Sequence, residues 1–445
     1  MTFQQPRLYP QPFLASSAKP QSHSWGIVPA LVVGLLCGPS VAVAEDAFTA
    51  AIKAGKPLLR MHARAEFVDD EANTLGDASA LTLRTYFGYE TGELANFSVR
   101  VAAENVLHLV DDFNVPGESS NGFDVVADPQ GTELEEAFIR YTGISDTRIT
   151  LGRQYLTFRA PPLHRFIGTV PWRQNWQSMD ALRVENSSIE GLRINYAYVK
   201  EVNRIFGNDN PNSALASSPM DSHLLNLSYS GLPIGSLEGF YYRLDYDNDS
   251  LAAPFSDRET YGIKLQGSQS LTDRMNLTYL GEFSHQRAIE DNQTDFDSAN
   301  QYRLELGLTQ SFADSAVKSL AVKAGYEVLE SDEGISFSTP LATVHAFQGW
   351  ADRFIGFPGD GVKDVYLLAG FKFAKDISLT TVFHDFEAES GGVDYGQEVD
   401  VQLSKKFGKV TLSLKHASYF GDEDPAAGAI GADKSVSWIF FNYAL

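Results

Sequence analysis

Basic residues recur on one side of several short segments whose other side is largely apolar. In the segment 80–89, Leu83 and Phe87 share one side of an extended chain, and Arg84 and Tyr86 share the other. Arginine presents a planar fork of donors that binds carboxylates. The bases that alternation assigns to the polar side are Arg60, Arg64, Arg84, Arg100, Arg140, Arg148, Arg183, Arg193, Arg243, Lys264, Arg303 and Lys323. This pattern favours a path for an anionic solute along one face of the strands.

Acidic residues share that polar side, so the bases have a second interpretation. In it, bases and acids pair across neighbouring strands and only fill the space between them. The acids are Glu66, Glu136, Glu185, Asp245, Glu282, Glu305 and Glu327. Sequence alternation alone leaves both interpretations open.

Alternating segments of about ten residues recur along the chain, and ten residues in a tilted strand suffice to cross a bilayer. Eighteen such segments are predicted, an even number as in bacterial single-chain barrels. Their approximate ranges are 58–68, 80–89, 94–104, 133–142, 146–157, 178–186, 191–200, 222–230, 235–246, 258–268, 273–287, 298–311, 317–329, 364–373, 376–387, 395–406, 409–418 and 435–445. The sequence predicts an all-β fold, a closed antiparallel transmembrane β-barrel of the outer-membrane type.

The connections between these segments alternate in length, which supports the same fold. Short turns follow the even-numbered segments, and long connections follow most of the odd-numbered ones. Short periplasmic turns and long external loops are typical of outer-membrane barrels. The barrel is predicted to span 58–445, with both termini periplasmic and long external loops at 105–132, 158–177, 201–221 and 330–363.

The first residues have the features of an export signal. Arg7 and Lys19 precede an apolar stretch, and Ala42-Val43-Ala44 is a small-x-small cleavage pattern. We predict that 1–44 is a removed signal peptide and that 45–57 forms a short periplasmic segment. The one cysteine, Cys37, lies inside this leader, so the exported chain has no disulfide.

The overall charge restricts the partners. The 445-residue chain carries a formal charge of −22, which argues against nucleic-acid binding because that requires a basic surface. Many acids fall in the predicted external loops, where divalent ions would bridge them to lipopolysaccharide. The predicted partners are outer-membrane lipid, lipopolysaccharide, the barrel-assembly machinery and a transported anionic saccharide, and the barrel is predicted to be monomeric. No metal or other cofactor is predicted.

Two long loops are rich in aromatic residues interleaved with Arg, His and Asn. The first covers 159–176 and the second covers 345–354. Exposed loops rarely carry so many aromatic rings unless other groups cover the rings. We predict that both loops fold into the barrel mouth, and an aromatic girdle at the lipid interface is the alternative.

Four motifs resemble the alginate-export family of outer-membrane barrels. They lie at 80–92 (ALTLRT…GYETG), 151–154 (LGRQ), 172–181 (WRQN…DA) and 345–352 (HAFQGWAD). The resemblance implies an 18-stranded monomeric porin whose basic constriction conducts a polyuronate. The candidate pathway residues are Arg84, Arg100, Arg140, Arg148, Arg153, Arg159, Arg165, Trp172, Arg173, Asn175, Arg183, Arg193, His345, Trp350 and Arg353.

Three functions remain in competition at the level of sequence. The first is passive diffusion of an anionic sugar polymer or oligosaccharide through an arginine-rich lumen. The second is a general porin, or one for another solute, whose lumen ion pairs are structural. The third, a barrel enzyme, is disfavoured because histidines are scattered and no Gly-x-Ser-x-Gly nucleophile motif occurs. We therefore predict a channel without catalytic residues.

Overall fold

The computed structural model describes residues 41–160, 164–247, 257–289, 296–422 and 425–444. Most of the predicted signal peptide lies outside these ranges. A helix, α1, covers Val41–Lys53 where the sequence predicts the end of the leader and a periplasmic segment. No helix of the described residues is long and apolar enough to span a membrane.

Twenty strands follow within the described ranges, and eighteen of them form one antiparallel sheet. They are β1 (Lys56–Asp70), β2 (Ala78–Glu90), β3 (Phe97–Asp112), β4 (Gly131–Ile144), β5 (Thr147–Gln154), β6 (Ser178–Asn186), β7 (Leu192–Asn203), β8 (Ser217–Leu232), β9 (Gly235–Leu244), β10 (Arg258–Thr272), β11 (Met275–Ala288), β12 (Ser298–Ser311), β13 (Val317–Leu329), β14 (Ser331–Asp332), β15 (Ile335–Ser336), β16 (Val362–Phe373), β17 (Ile377–Glu387), β18 (Asp394–Phe407), β19 (Val410–Gly421) and β20 (Lys434–Ala444). The short strands β14 and β15 pair only with each other. A four-residue helix, α2 (Ser213–Ala216), precedes β8.

The sheet closes on itself because β20 pairs with β1. The register runs from Arg60 opposite Ala444 to Asp70 opposite Lys434. Every strand of the barrel therefore has two hydrogen-bonded neighbours, which is the condition for placing strands in lipid. The predicted closed barrel of eighteen strands is confirmed.

Side-chain exposure confirms that each strand has an apolar face and a polar face, as the alternation in the sequence predicts. On β12, Leu304 and Leu306 are 59% and 62% exposed, whereas Arg303 and Glu305 are 8% exposed. The exposed apolar residues form an outer surface suited to acyl chains, and the charged residues line the bore.

The connections differ at the two ends of the barrel. Turns of two to six residues, such as 233–234 and 408–409, join strands at one end, and the long connections lie at the other. Several strands extend further into the long loops than predicted. For example, β3 continues to Asp112, so the connection predicted at 105–132 is reduced to 113–130.

Candidate functional site

Two long connections run inside the barrel and contact its inner wall. We call residues 155–177 the first inward loop, and residues 330–361 the second inward loop. In the first, Gln174 Nε2 donates to Thr82 Oγ1 on β2 at 2.8 Å. In the second, the Ala351 amide donates to Glu398 Oε1 on β18 at 2.8 Å. The predicted infolding of both aromatic segments is therefore confirmed, except for 161–163, which lie outside the described residues.

The two inward loops bind each other through backbone and side-chain hydrogen bonds. The Gly168 amide donates to the Leu341 carbonyl at 2.8 Å, and the Thr343 amide donates to the His164 carbonyl at 3.0 Å. Arg165 Nη1 adds a bond to Gln348 Oε1 at 3.2 Å. Together the loops form one packed unit across the bore.

A buried ion-pair network holds the first inward loop against the wall. Arg173 pairs with Asp128 at 3.0 Å and with Glu66 at 2.8 Å, and Arg64 pairs with the same two carboxylates. Burial by itself would raise the pKa of the Asp128 carboxyl, but the guanidinium groups of Arg173 and Arg64 hold it well below its usual range. Asp128 therefore stays ionised at neutral pH, and its ion pairs fix the position of the loop.

The second inward loop is held by a cluster around Lys415 of β19. Its Nζ lies 4.0 Å from the ring centroid of Trp172, 3.9 Å from that of Trp350 and 5.2 Å from that of Trp438. The same nitrogen lies 2.5 Å from His345 Nε2. His345 Nδ1 lies 2.8 Å from Asp352, which orients the imidazole. Lys415 thus contacts side chains from both loops and from the wall.

A cavity of about 1000 Å³ lies in the bore, between the first inward loop and the wall formed by β8 to β13 and β16. We call it the large cavity. Its charged lining residues are Arg159, Glu238, Lys264, Arg303, Glu305 and Lys323. Four bases therefore face two acids. Glu238 pairs with Arg159 at 2.9 Å and with Lys264 at 2.8 Å. Glu305 pairs with Lys323 at 2.9 Å and with Arg303 at 2.6 Å, so each acid serves two bases. Arg159 also pairs with Glu282, which is not part of the lining.

Most of the predicted pathway arginines lie inside the barrel and are paired with acids. The pairs are Arg84–Glu104, Arg100–Glu136, Arg140–Glu90, Arg148–Glu185, Arg159–Glu238, Arg165–Glu327, Arg173–Glu66, Arg183–Glu185 and Arg353–Asp70. Trp172, His345 and Trp350 belong to the cluster around Lys415, and the Asn175 amide lies between Glu104 and the Gly207 backbone. The cross-strand pairing considered from the sequence therefore accounts for most of these bases.

Two predicted residues lie apart from the others. Arg153 pairs with Asp180 at 2.8 Å and stands opposite Ala137 in the register of β4 and β5. It lies on the same side of β5 as Leu151, which is 60% exposed and faces outward. It is therefore placed outside the bore. Arg193 is exposed, and within the described ranges it forms no salt bridge.

Sequence reasoning missed three residues that organise the site, namely Asp128, Glu398 and Lys415. Glu398 and Lys415 occupy polar-side positions of predicted segments, so alternation could have found them. Asp128 lies in an irregular connection, and nothing in its spacing marks it.

No protein-family model matches the sequence, and neither does any curated protein. The fold is similar to solved structures of outer-membrane proteins. OpdK of Pseudomonas aeruginosa is 12% identical with a TM-score of 0.64, covering 88% of this chain and 99% of that one. OccAB4 of Acinetobacter baumannii is 14% identical with a TM-score of 0.62, covering 88% and 98%. OccK9 (OpdG) of P. aeruginosa is 14% identical with a TM-score of 0.65, covering 89% and 100%.

Similarity at these identities establishes the fold, and the resemblance to the alginate-export family stays a prediction. The chain has the closed 18-strand architecture of bacterial outer-membrane porins, and its apolar exterior fits it to the outer membrane.

Proposed function

We propose that this chain is a passive outer-membrane channel for small solutes that carry a carboxylate, and that the large cavity is where the solute binds. The single observation that carries the proposal is the excess of bases in the lining of that cavity, where four cationic side chains stand beside two carboxylates. Glu282, which pairs with Arg159, lies behind the lining. An unbalanced positive lining in a narrow bore attracts anions and raises their local concentration.

The arrangement of the bases suits a carboxylate in particular. Arg159 and Arg303 carry planar guanidinium groups, and Lys264 and Lys323 add ammonium groups. Arg159 also lies 5.1 Å from the Phe166 ring centroid and 5.6 Å from that of Phe240, so a basic group and apolar rings are adjacent. One similar structure is that of OpdK with vanillate, which is a carboxylate attached to an aromatic ring.

The size of the free space favours small solutes over a polymer. The two inward loops pack against each other and against both sides of the wall, so they occupy much of the cross-section. Pockets that hold small molecules measure about 300 to 1000 Å³, and the large cavity, at about 1000 Å³, lies at the upper end of that range.

Conduction of a polyuronate is the second candidate. It is favoured by the motifs at 172–175 and 345–352, which meet where the Trp172 ring stacks on the His345 ring. A uronate polymer repeats the same carboxylate, so both candidates predict anion binding. They differ in the length of the solute that can enter.

Single-channel recording in planar bilayers tests the proposal and separates the candidates. We expect stepwise chloride currents that are blocked by glucuronate. A long oligouronate, added at the same concentration of carboxylate groups, should block these currents more weakly. Lys323→Gln should raise the half-blocking glucuronate concentration severalfold, because Lys323 lines the large cavity and is partly exposed.

The matched control is Lys318→Gln on the same strand, a residue that does not line the cavity. Glucuronate block that is absent, or that responds equally to both substitutions, would contradict a carboxylate site here. Stronger block by the oligouronate would favour the polymer candidate.

A further inference from the structure

A second cavity, of about 410 Å³, lies on the other side of the bore, against β1, β2 and β18 to β20. We call it the basic cavity. The bases that line it are Arg60, Arg84, Lys406 and Lys409. No carboxylate lines it in the part of the chain that the structure describes. It therefore differs from the large cavity, where acids partly neutralise the bases.

The bases of this cavity form a buried end and an open mouth. Arg84 is 2% exposed and pairs with Glu104, and its guanidinium lies 4.2 Å from the Trp176 ring centroid. Arg60, Lys406 and Lys409 are exposed and form no salt bridge among the described residues. Lys409 belongs to the short turn between β18 and β19, so the mouth opens toward the short-turn end of the barrel.

Two further polar groups at this cavity lack a partner. His62 Nε2 and Trp176 Nε1 are both buried and form no hydrogen bond to other described atoms. Both residues line the cavity, and the Trp176 nitrogen can only donate. Unpartnered buried polar atoms cost free energy, and a bound ligand or water removes that cost. A ligand with several acceptor oxygens would suit the donors present.

We propose that the basic cavity binds the phosphate group of a small phosphorylated solute. Three mutually repelling cations with no carboxylate between them favour a multiply charged anion, because its charge offsets their repulsion. A phosphate monoester carries a charge of about −1.5 to −2 at neutral pH and three acceptor oxygens, whereas a single carboxylate carries −1 and two. Arginine forks and lysine point charges are both established phosphate donors.

This phosphate site deepens the proposed function, and it rests on that function only because both require a water-filled bore. It does not need the large cavity to bind carboxylates. The two sites use different walls and different bases, so substitutions at one should leave the other unchanged.

Single-channel recording of the full-length barrel tests the inference, with inorganic phosphate and glucose 6-phosphate as probes and glucuronate as the comparison. The variant is Lys406→Gln with Lys409→Gln. We expect the half-blocking concentration of both phosphates to rise about tenfold, because removing two charges lowers the local anion concentration by that order. Block by glucuronate should change less than twofold.

The matched control is Lys405→Gln with Lys318→Gln, which removes the same charge from residues that line neither cavity. Lys405 precedes Lys406 in β18, so its side chain lies on the opposite, outward face of the strand. Its Nζ lies 4.7 Å from the Phe407 ring centroid. Arg60→Gln provides a second test at an exposed position, should the double variant fail to assemble.

The outcomes distinguish this inference from the proposed function. Absence of phosphate block in the unmodified channel, or an equal shift in the control, would overturn the phosphate site. Phosphate block that depends on Lys406 and Lys409, without any glucuronate block, would support the phosphate site and reject the carboxylate site.

Discussion

The indole of Trp172 stacks on the imidazole of His345, with ring centroids 3.7 Å apart and planes within 5°. The two residues come from different inward loops, so this contact joins connections that leave opposite parts of the wall. Their nearest common neighbour is Lys415, whose Nζ contacts both rings. The stack therefore adds an aromatic contact to the hydrogen bonds that join the two loops.

Replacing Trp172 with alanine should loosen that unit. The change removes the stack on His345 and the contact with Lys415, and an aromatic pair contributes about 1 kcal/mol beyond its burial. We expect noisier open-channel current and faster hydrogen exchange at 164–177 and 341–353. Phe441→Ala, on the exposed outer face, is the control, and equal effects from both changes would contradict the role given to the stack.

Gly349→Ala should displace the second inward loop from β18. The backbone φ of Gly349 is +79°, and a Cβ there would lie 2.3 Å from Glu398 Oε2, so alanine suffers both backbone strain and a clash. We expect a cost of about 1 to 2 kcal/mol in docking of the loop, seen as increased protease sensitivity. Gly356→Ala is the matched control in the same loop, because a Cβ there meets open space. Equal sensitivity of both variants would show that this close approach does not hold the loop.

Asp128→Asn should destabilise the barrel strongly. The substitution leaves the buried guanidinium groups of Arg64 and Arg173 with less compensating charge, and breaking a buried pair costs about 3 to 5 kcal/mol. Asp247→Asn is the same chemical change at an exposed pair with Lys200, where we expect at most about 1 kcal/mol. Thermal unfolding in detergent measures both, and similar shifts in the two variants would count against the buried network.

Acid should weaken the contact between the inward loops. Burial, helped by Lys415 and opposed by Asp352, lowers the pKa of His345 to about 3, and burial lowers the pKa of His164 to about 4. A histidine in a loop that has left the bore has a pKa near 6.5. Between about pH 3 and pH 6.5, the undocked loops therefore bind more protons than the docked loops. The docking free energy is therefore fully present above about pH 6.5 and decreases as the pH falls toward 3.

Hydrogen exchange of 164–177 and 341–353 at pH 7.5 and pH 4.5, corrected for intrinsic rates, checks this prediction. Protection should fall at the lower pH, and the double variant His164→Gln, His345→Gln should lose most of that dependence. Protection that changes equally in both proteins would assign the acid response to other groups.

The strands could be predicted well from the sequence because each has one face toward lipid and one face toward the polar bore, which makes apolar and polar residues alternate. The segments at 178–186, 298–311 and 317–329 match the observed bounds of β6, β12 and β13. Alternation fails where a bulge shifts the pairing. In β3, the register with β2 skips Leu109, so His108 and Val110 stand opposite consecutive residues and the strand continues past the predicted end.

The candidate site was less predictable from sequence. Alternation placed Arg84 and Arg100 inside, but it could not show that Glu104 and Glu136 neutralise them, because pairing depends on register and on loops that fold inward. Arg153 was assigned to the bore because it belongs to the motif at 151–154. Its position in the alternation of β5 places it on the outward face. The basic cavity emerges only when strands far apart in the chain, β1 and β18 to β20, become neighbours.

Pairing of Lys434–Ala444 with Lys56–Asp70 has a consequence for biogenesis. The seam joins the two ends of the barrel sequence, so the ribosome must deliver nearly the whole polypeptide before the cylinder can seal. Until then the growing sheet keeps two unpaired edges, which are templates for aggregation. Translation that stops before residue 434 would therefore leave an open sheet with no route to closure, and the polypeptide must be kept from aggregating until its last strand reaches the membrane.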